Sequence, residues 1–446
     1  MNFNSKKEFQ SHALELLKAN NYNGTICAST GSSKSKVAID AIKEGKFKNI
    51  LITSPRSNLK ENWKQELKKW GINIFPVVDF KREDRISQST FTDNIHPYNC
   101  KYFILENIQT CYKWSKEVVK QFDLIIYDEI HTCGEEFFNL IRNAHNFTFT
   151  DVSTLPLITS VIGLTATPNK SDDFKKEVLY KSVPILVEYY NAEEDGLTNS
   201  CKYYVLEYQL TDQFKVVTGS KDKKWLVGEK KQYDYLSDQY EKAKTLMFLQ
   251  GAENYFEQSL IWMKSKTATK EQKIAGSKFY FAVNNRKKFL WNLESSKQIA
   301  LALKKRILEI KTNKILLFSE LTTQAEKLSL YSIHSNNSKN AKECSAINTQ
   351  LLEQFNSGSI RELSSVRSLQ LGLNMSNATH AIFESYSGSE VSAKQSKGRL
   401  NRLDIDEVAT IIIIKPLGTQ ASTWFEDAFG WIEEYTVINK INELPL

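Results

Sequence analysis

Two stretches of the 446-residue chain hold side chains whose types and spacing suit work on a phosphoanhydride. The first is Ala28-Ser-Thr30-Gly31-Ser32-Ser33-Lys34-Ser35, which follows the apolar run Gly24 to Ala28 and precedes the helical pattern VAIDAIKEG. A loop in this setting wraps backbone N–H groups around a β-phosphate, sends a lysine to the β/γ oxygens and offers a hydroxyl to Mg²⁺. Lys34 and Ser35 fill the last two roles, and Thr30, Gly31, Ser32 and Ser33 line the cradle. Ser33 stands where glycine is expected. A side chain there meets positive φ at a cost of about 1–3 kcal/mol, or crowds the phosphate. The second stretch, Phe122-Asp-Leu-Ile-Ile-Tyr-Asp128-Glu129-Ile130-His131, is an apolar strand that ends in two adjacent acids. Asp128 suits a Mg²⁺ ligand, and Glu129 suits the group that orients and deprotonates an attacking water.

Groups of this kind work only if one sheet delivers them to a common crevice, at the carboxyl ends of parallel strands. Short, β-branched, nearly continuous apolar runs occur at 24–28, 50–53, 102–105, 124–127 and 161–164, and again at 314–318, 362–366, 380–384 and 409–414. Strands buried on both faces read this way. The expected fold class is therefore α/β, with two parallel-sheet lobes and a mostly helical accessory insertion. The expected limits are 1–195 for the first lobe, 196–214 with 301–446 for the second, and 215–300 for the insertion. At the start of the insertion, two β-prone runs in Phe214 to Val227 flank a Gly-containing turn region, the local pattern of a hairpin. Its tip carries Lys221, Lys223 and Lys224 against Asp222, followed by Trp225. Two readings stand for it: a strand-separating wedge with a stacking face, or a solvated loop whose Trp packs on its own domain.

Composition excludes several classes. Net charge is +7, from 59 Lys and Arg against 52 Asp and Glu, which permits a polyanionic partner without demanding one. The six cysteines are scattered, with no short spacing that closes a zinc site, and are expected as reduced thiols. No apolar run reaches the roughly 18 residues of a membrane span, and MNFNSKKEFQSHALELL lacks a signal-peptide apolar block. The expectation is a soluble cytoplasmic protein, in the host cytoplasm if viral, with no membrane partner.

Beyond these features, the chain resembles the superfamily 2 DExH helicases and translocases. DEIH looks like the DExH box, and Gly163-Leu-Thr165-Ala166-Thr167-Pro168 matches the third motif of that superfamily almost letter for letter. The resemblance implies that His131, Thr165 and Thr167 couple the ATP site to the nucleic-acid site. Pro55-Arg56 with Asn62-Trp63 is similar to motif Ia, Glu106 to Thr110 with Gln109 to motif Ib, and Phe9-Gln10 to the glutamine motif that reads adenine. Later, Phe318-Ser319 resembles motif IV, and Arg367-Ser368 through Gly372 and Asn374 resembles motif V. Gln395-Ser-Lys-Gly398-Arg399-Leu-Asn-Arg402 fits the arginine-finger motif QxxGRxxR. On a helix, Gln395, Arg399 and Arg402 share one face.

Two RecA-like lobes facing one another follow from this resemblance, with ATP and Mg²⁺ in the cleft. Nucleic acid is then met by Pro55, Arg56, Gln109, Thr110, Phe318, Ser319, Arg367 and Ser368, with Lys223, Lys224 and Trp225 from the hairpin. Gln10, Gly372 and Asn374 join the nucleotide site. Within the superfamily the chain looks nearest to compact phage and viral UvsW-type and RecG-like branched-DNA motors. The expected function is ATP-dependent translocation or unwinding on duplex or branched DNA, in recombination, replication or repair. An RNA-directed helicase or transcript-release motor is one alternative. A nucleotide-gated binding module, its ATPase weakened by Ser33, is the other.

Overall fold

A computed structural model of the chain describes residues 2–55, 58–72, 102–114, 116–143, 159–168, 172–219, 224–366, 377–400, 403–404 and 406–445. Among these the chain forms two compact units, residues up to 200 together with 395–408, and the remainder from 201 onward. Each unit is built on a parallel sheet with helices.

The sheet of the first unit holds β1 (Gly24–Ala28), β2 (Asn49–Ser54), β3 (Tyr102–Asn107), β4 (Leu124–Asp128), β5 (Ser160–Thr165) and β6 (Ile185–Tyr189). Their order across the sheet is β3-β2-β4-β5-β1-β6, and the pairs are parallel. Alternate residues of each strand serve opposite cores. Ile50, Ile52 and Ile126 pack on one side with Phe9, Leu17 and Ile39; Leu51, Ile125, Tyr127 and Val161 pack on the other with Phe137 and Phe138. Both faces are thus dry, which is why the strands read as unbroken apolar runs. β1 and β4 lie in the middle of the sheet with β5 between them, so the loop after β1 and the acids at the end of β4 emerge on the same edge.

The second unit holds β7 (Ser200–Gln209), the antiparallel ribbon β8 (Lys215–Gly219) and β9 (Lys224–Gly228), then β10 (Ile315–Ser319), β11 (Ser332–Ile333), β12 (Glu362–Val366), β13 (His380–Phe383), β14 (Val408–Leu417) and β15 (Thr436–Ile438). The main sheet runs β11-β12-β10-β13-β14-β7-β15, and the ribbon stands apart from it. Ile315, Leu317, Ile382, Ile412 and Ile414 share a core with Leu303 and Ile307 of the helix Glu294–Leu308. The helices Glu229–Leu249, Tyr255–Lys264 and Lys270–Leu290 make a separate small core around Met247, Trp262 and Phe279. Thr269 and Gln272 start the last of these with a reciprocal capping box.

Gly163 of β5 is the tightest point beside the β4 acids. A Cβ there would lie 2.5 Å from Ile130 Cδ1 and 2.8 Å from Thr25 Oγ1, and Thr25 is already fixed by its hydrogen bond to Val183 O at 3.0 Å. Gly163→Val is therefore expected to destabilise the first unit by about 1–3 kcal/mol through overpacking. Urea unfolding followed by circular dichroism checks this; an unchanged midpoint would contradict it.

Candidate active site

The loop after β1 curls through two left-handed residues, Gly31 at φ 87° and Ser33 at φ 66°. Glycine takes that conformation freely, whereas serine pays about 1–2 kcal/mol. Ser33 also precedes the helix Lys34–Glu44 without giving it a side-chain cap, so nothing local repays the strain. Ser32 is fully buried, and its hydroxyl donates to Ser29 O at 2.7 Å, closing the loop on itself. Lys34 folds inward, its ammonium donating to Ala28 O at 2.6 Å and Ser29 O at 3.1 Å. Burial lowers its pKa below the usual lysine range, while Glu129, Cys27 and Asp128 pull the other way.

Asp128 ends β4 and Glu129 follows in a left-handed conformation, φ 58° and ψ 51°. That second strained residue turns the chain sharply, so that the two acids point differently. The indole Nε1–H of Trp63 donates to Asp128 Oδ2 at 2.9 Å. Burial and the adjacent Glu129 still push Asp128 up to about 6. For Glu129, burial also acts upward, but the His131 ring, Lys34 and Arg399 outweigh it and hold the carboxyl below the usual range. The two acids are thereby separated in acidity, with Glu129 the one that stays charged.

A chain of close polar contacts leaves the site from there. His131 Nδ1 lies 3.3 Å from Glu129 Oε2 and 2.9 Å from Thr165 Oγ1. Thr165 Oγ1 donates to Thr167 O at 2.9 Å and accepts from Thr167 N–H at 3.0 Å. Its single proton is thus used, and His131 must be the donor to it, which places a hydrogen on Nδ1. The three residues expected to couple the site to its surroundings, His131, Thr165 and Thr167, are in direct sequence.

Polar atoms in this region that are buried with no hydrogen-bond partner among the described residues include Glu129 Oε2, Ser29 Oγ and Thr167 Oγ1. Orphaned buried groups of both polarities suit a polyanion with associated water. The described residues contain no group of three or more His, Cys, Asp and Glu able to hold a metal ion. Ser35 and Asp128 are oxygen donors, and Mg²⁺ is commonly held by one or two protein oxygens with substrate phosphates and waters completing its shell. The residues present fit nucleotide and Mg²⁺.

Residues 395–408 belong to the same unit as the phosphate loop. A Cβ on Gly398 would fall 1.8 Å from Thr30 Oγ1; only glycine lets the backbone come that close. Lys397 forms an ion pair with Glu193. Gln395 and Arg399 are buried, at 5% and 9% exposure. Arg402 lies outside the described residues, as do Arg56, Lys223, Arg367, Ser368, Gly372 and Asn374.

The remaining expected contacts divide. Gln10 is partly exposed beside Phe9, whose ring stacks on Tyr189 at 5.1 Å. Pro55 and Thr110 are partly exposed and Gln109 is open to solvent, at the start of a short helix capped by Asn107, whose Oδ1 accepts from Gln109 N–H at 2.8 Å. Phe318 differs from the expectation of a nucleic-acid contact: its ring is in the core, 4.9 Å from Phe383. Ser319 is buried too, its hydroxyl donating to Leu321 O at 3.0 Å. Lys224 and Trp225 are exposed on β9. Sequence reasoning did not find the role of Trp63, which it placed in motif Ia, nor the contact that demands Gly398; neither leaves a local signal.

Residues 3–170 match the family described as "Type III restriction enzyme, res subunit", and residues 288–404 match the family "Helicase conserved C-terminal domain". In this order, on two parallel-sheet α/β units, the two matches support a superfamily 2 helicase, an enzyme that hydrolyses ATP. It is similar to the "DNA 3'-5' translocase XPB2" of Sulfurisphaera tokodaii, with 23% identity over 422 residues, 93% of this chain and 83% of that protein. In fold it is similar to the Hef helicase domain of Pyrococcus furiosus, with a TM-score of 0.51 at 14% identity, covering 94% of this chain and 97% of the other. The Dbp5 structure from S. cerevisiae, bound to RNA and ADP BeF3, gives a TM-score of 0.52 at 12% identity, with 96% and 89% covered.

Trp63→Phe keeps most of the buried ring and removes the indole donor to Asp128. Magnesium-dependent nucleotide affinity is expected to fall about tenfold, the scale of a lost partner to a metal ligand, with magnesium-free binding little changed. Titration calorimetry with and without Mg²⁺ checks this; equal losses in both would assign Trp63 to packing alone.

Proposed function

We propose that the protein is an ATP-driven translocase on DNA, with duplex or branched DNA as its track and recombination, replication or repair as its setting. The observation that carries the motor reading is the continuous path Glu129, His131, Thr165, Thr167. A simple nucleotide-binding module has no use for a water-activating carboxylate wired to a second motif. DNA is favoured by the relative over most of the chain that is named a DNA 3'-5' translocase, and it agrees with the net positive charge.

In this reading Lys34 leaves the carbonyls of Ala28 and Ser29 for the β/γ-phosphate oxygens, and Ser35 with Asp128 holds Mg²⁺. The metal, when bound, neutralises charge on the phosphate oxygens. Glu129, held charged, orients the attacking water and accepts its proton. Arg399 and Arg402 stabilise charge on the transferring phosphoryl group, which planar, always-charged guanidinium groups do better than ammonium. Any rearrangement at Glu129 reaches Thr165 through His131, so hydrolysis is felt at the residues that meet the nucleic-acid backbone. Binding along the track is then largely independent of sequence and weakens steeply with salt.

Steady-state ATPase assays with matched single-stranded, duplex, forked and four-way DNA and RNA test the proposal. Stimulation of about tenfold or more by DNA, and less by RNA of the same form, is expected; stimulation by RNA alone would move the track to RNA. Glu129→Gln should lower turnover by at least about 100-fold, the usual weight of a general base, while nucleotide affinity stays within a few fold. Near-normal turnover in that variant would remove Glu129 from the chemistry.

A further inference from the structure

Among the described residues the ribbon β8–β9 pairs with no other strand, and its register divides its side chains cleanly. Val217 faces Leu226, Thr218 faces Trp225 and Gly219 faces Lys224. Because alternate residues share a face, Lys215, Val217, Leu226 and Lys224 lie together on one side, and Val216, Thr218, Trp225 and Val227 on the other. The first face is open: Val217 is 67% and Leu226 66% exposed, with exposed lysines at both ends. On the second face Val216, Thr218 and Val227 are half-buried, and Trp225 at the outer end is 52% exposed.

A lone two-stranded ribbon is marginal in water, so this one must be held from its base. Glu229 N–H donates to Phe214 O at 3.0 Å, Lys230 N–H to Thr211 O at 3.3 Å and Lys231 N–H to Asp212 Oδ1 at 3.1 Å. Gly228 leaves no room for a side chain, since a Cβ would meet Asp212 Oδ1 at 1.9 Å. Next to it, the fully buried Glu229 places Oε1 against Glu294 N–H at 2.6 Å and Ser295 N–H at 3.3 Å, at the positive end of the helix Glu294–Leu308. Buried polar machinery therefore fixes a projection whose large apolar side chains stay in solvent. Such side chains contribute little to the fold, and apolar groups displayed together suit a partner.

The character of that partner follows from charge and shape. Residues 214–228 carry four lysines, Lys215, Lys221, Lys223 and Lys224, against one acid, Asp222. The partner is anionic and presents flat apolar surface. Unpaired nucleic acid combines both, because its bases stack on apolar and aromatic side chains while its phosphates attract lysine. A duplex offers the phosphates but hides the base faces.

We propose that the β8–β9 ribbon is a binding site for unpaired nucleobases, with Val217 and Leu226 as an apolar contact between the phosphate contacts Lys215 and Lys224 on one face, and Trp225 as the stacking ring at the outer end of the other. The proposal rests on the reading of the chain as a nucleic-acid motor and adds a device to it. Bases captured on the ribbon are kept from re-pairing, so strand separation depends on it while hydrolysis does not.

The test uses the full chain and two variants, Trp225→Ala and the pair Val217→Ser with Leu226→Ser, all at exposed positions. For each, the affinities for a labelled oligothymidylate and for a duplex of equal length are measured by anisotropy, beside DNA-stimulated ATPase and separation of a forked substrate. Affinity for the single strand is expected to fall about tenfold, with duplex affinity and stimulated ATPase within about twofold and fork separation reduced about tenfold. Unchanged single-strand affinity and fork separation in both variants would overturn the proposal. So would unchanged oligothymidylate binding accompanied by loss of a bound protein partner. If the unaltered protein binds oligothymidylate through the ribbon but no nucleic acid stimulates its ATPase, the motor reading fails while the stacking site stands.

Discussion

The site is organised around one electrostatic constraint: Lys34, Asp128 and Glu129 are brought together where burial disfavours every one of their charges. Burial drives the lysine down and Asp128 up. The cluster persists because each member has a partner or a charge of opposite sign close by. Lys34 leans on two backbone carbonyls, Asp128 takes the indole hydrogen of Trp63, and Glu129 is held by the charges and ring around it. These partners come from the loop after β1, the helix after β2, the end of β4 and the segment that follows β13. A parallel sheet with its strand ends gathered on one edge supplies the first three, and the fourth belongs to residues 395–408 of the same unit.

Strain is concentrated at the same place. Ser33 and Glu129 are two of five non-glycine residues with positive φ among those described, and both adjoin groups proposed to meet the nucleotide. Each costs roughly 1–2 kcal/mol that a different backbone would save. Their position suggests what the expense secures: a loop curved for phosphate in the first case, and an acid turned away from its neighbour in the second. Glu129 then faces His131, whose Nδ1–H is committed to Thr165. The proposed coupling path is therefore set by the same backbone turn that separates the two carboxylates in acidity.

Much of this was legible in the amino-acid order because its physical causes are local. Strands buried on both faces must be apolar at every position, so β1, β2, β4 and β5 show as short continuous runs. A phosphate loop needs strand, turn and helix in immediate succession, and the Ser33 departure from glycine correctly signalled a left-handed residue. Contacts across the fold left no such trace. Trp63 read as part of motif Ia, and its indole hydrogen bond to Asp128, 65 residues away, depends on how two strands are ordered. Gly398 read as a motif letter, and its reason is the approach of Thr30. Phe318 was expected as a nucleic-acid contact because Phe318-Ser319 resembles motif IV, yet strand alternation turns its ring into the core against Phe383.

The central claim is that the enclosed charges form a nucleotide site, in which a bound Mg²⁺ nucleotide relieves burial that the protein alone bears at a cost. A ligand that binds only the folded state stabilises it by RT ln(1 + [L]/Kd). The most direct measurement is thermal unfolding of the purified protein with a non-hydrolysable ATP analogue and Mg²⁺, beside Lys34→Ala. At about 100 times the dissociation constant, roughly 2.7 kcal/mol of added stability is predicted. That raises the melting temperature of the first unit by several degrees in the natural sequence and by far less in the variant. An unmoved transition in the natural sequence, or an equal rise in both proteins, would contradict the account.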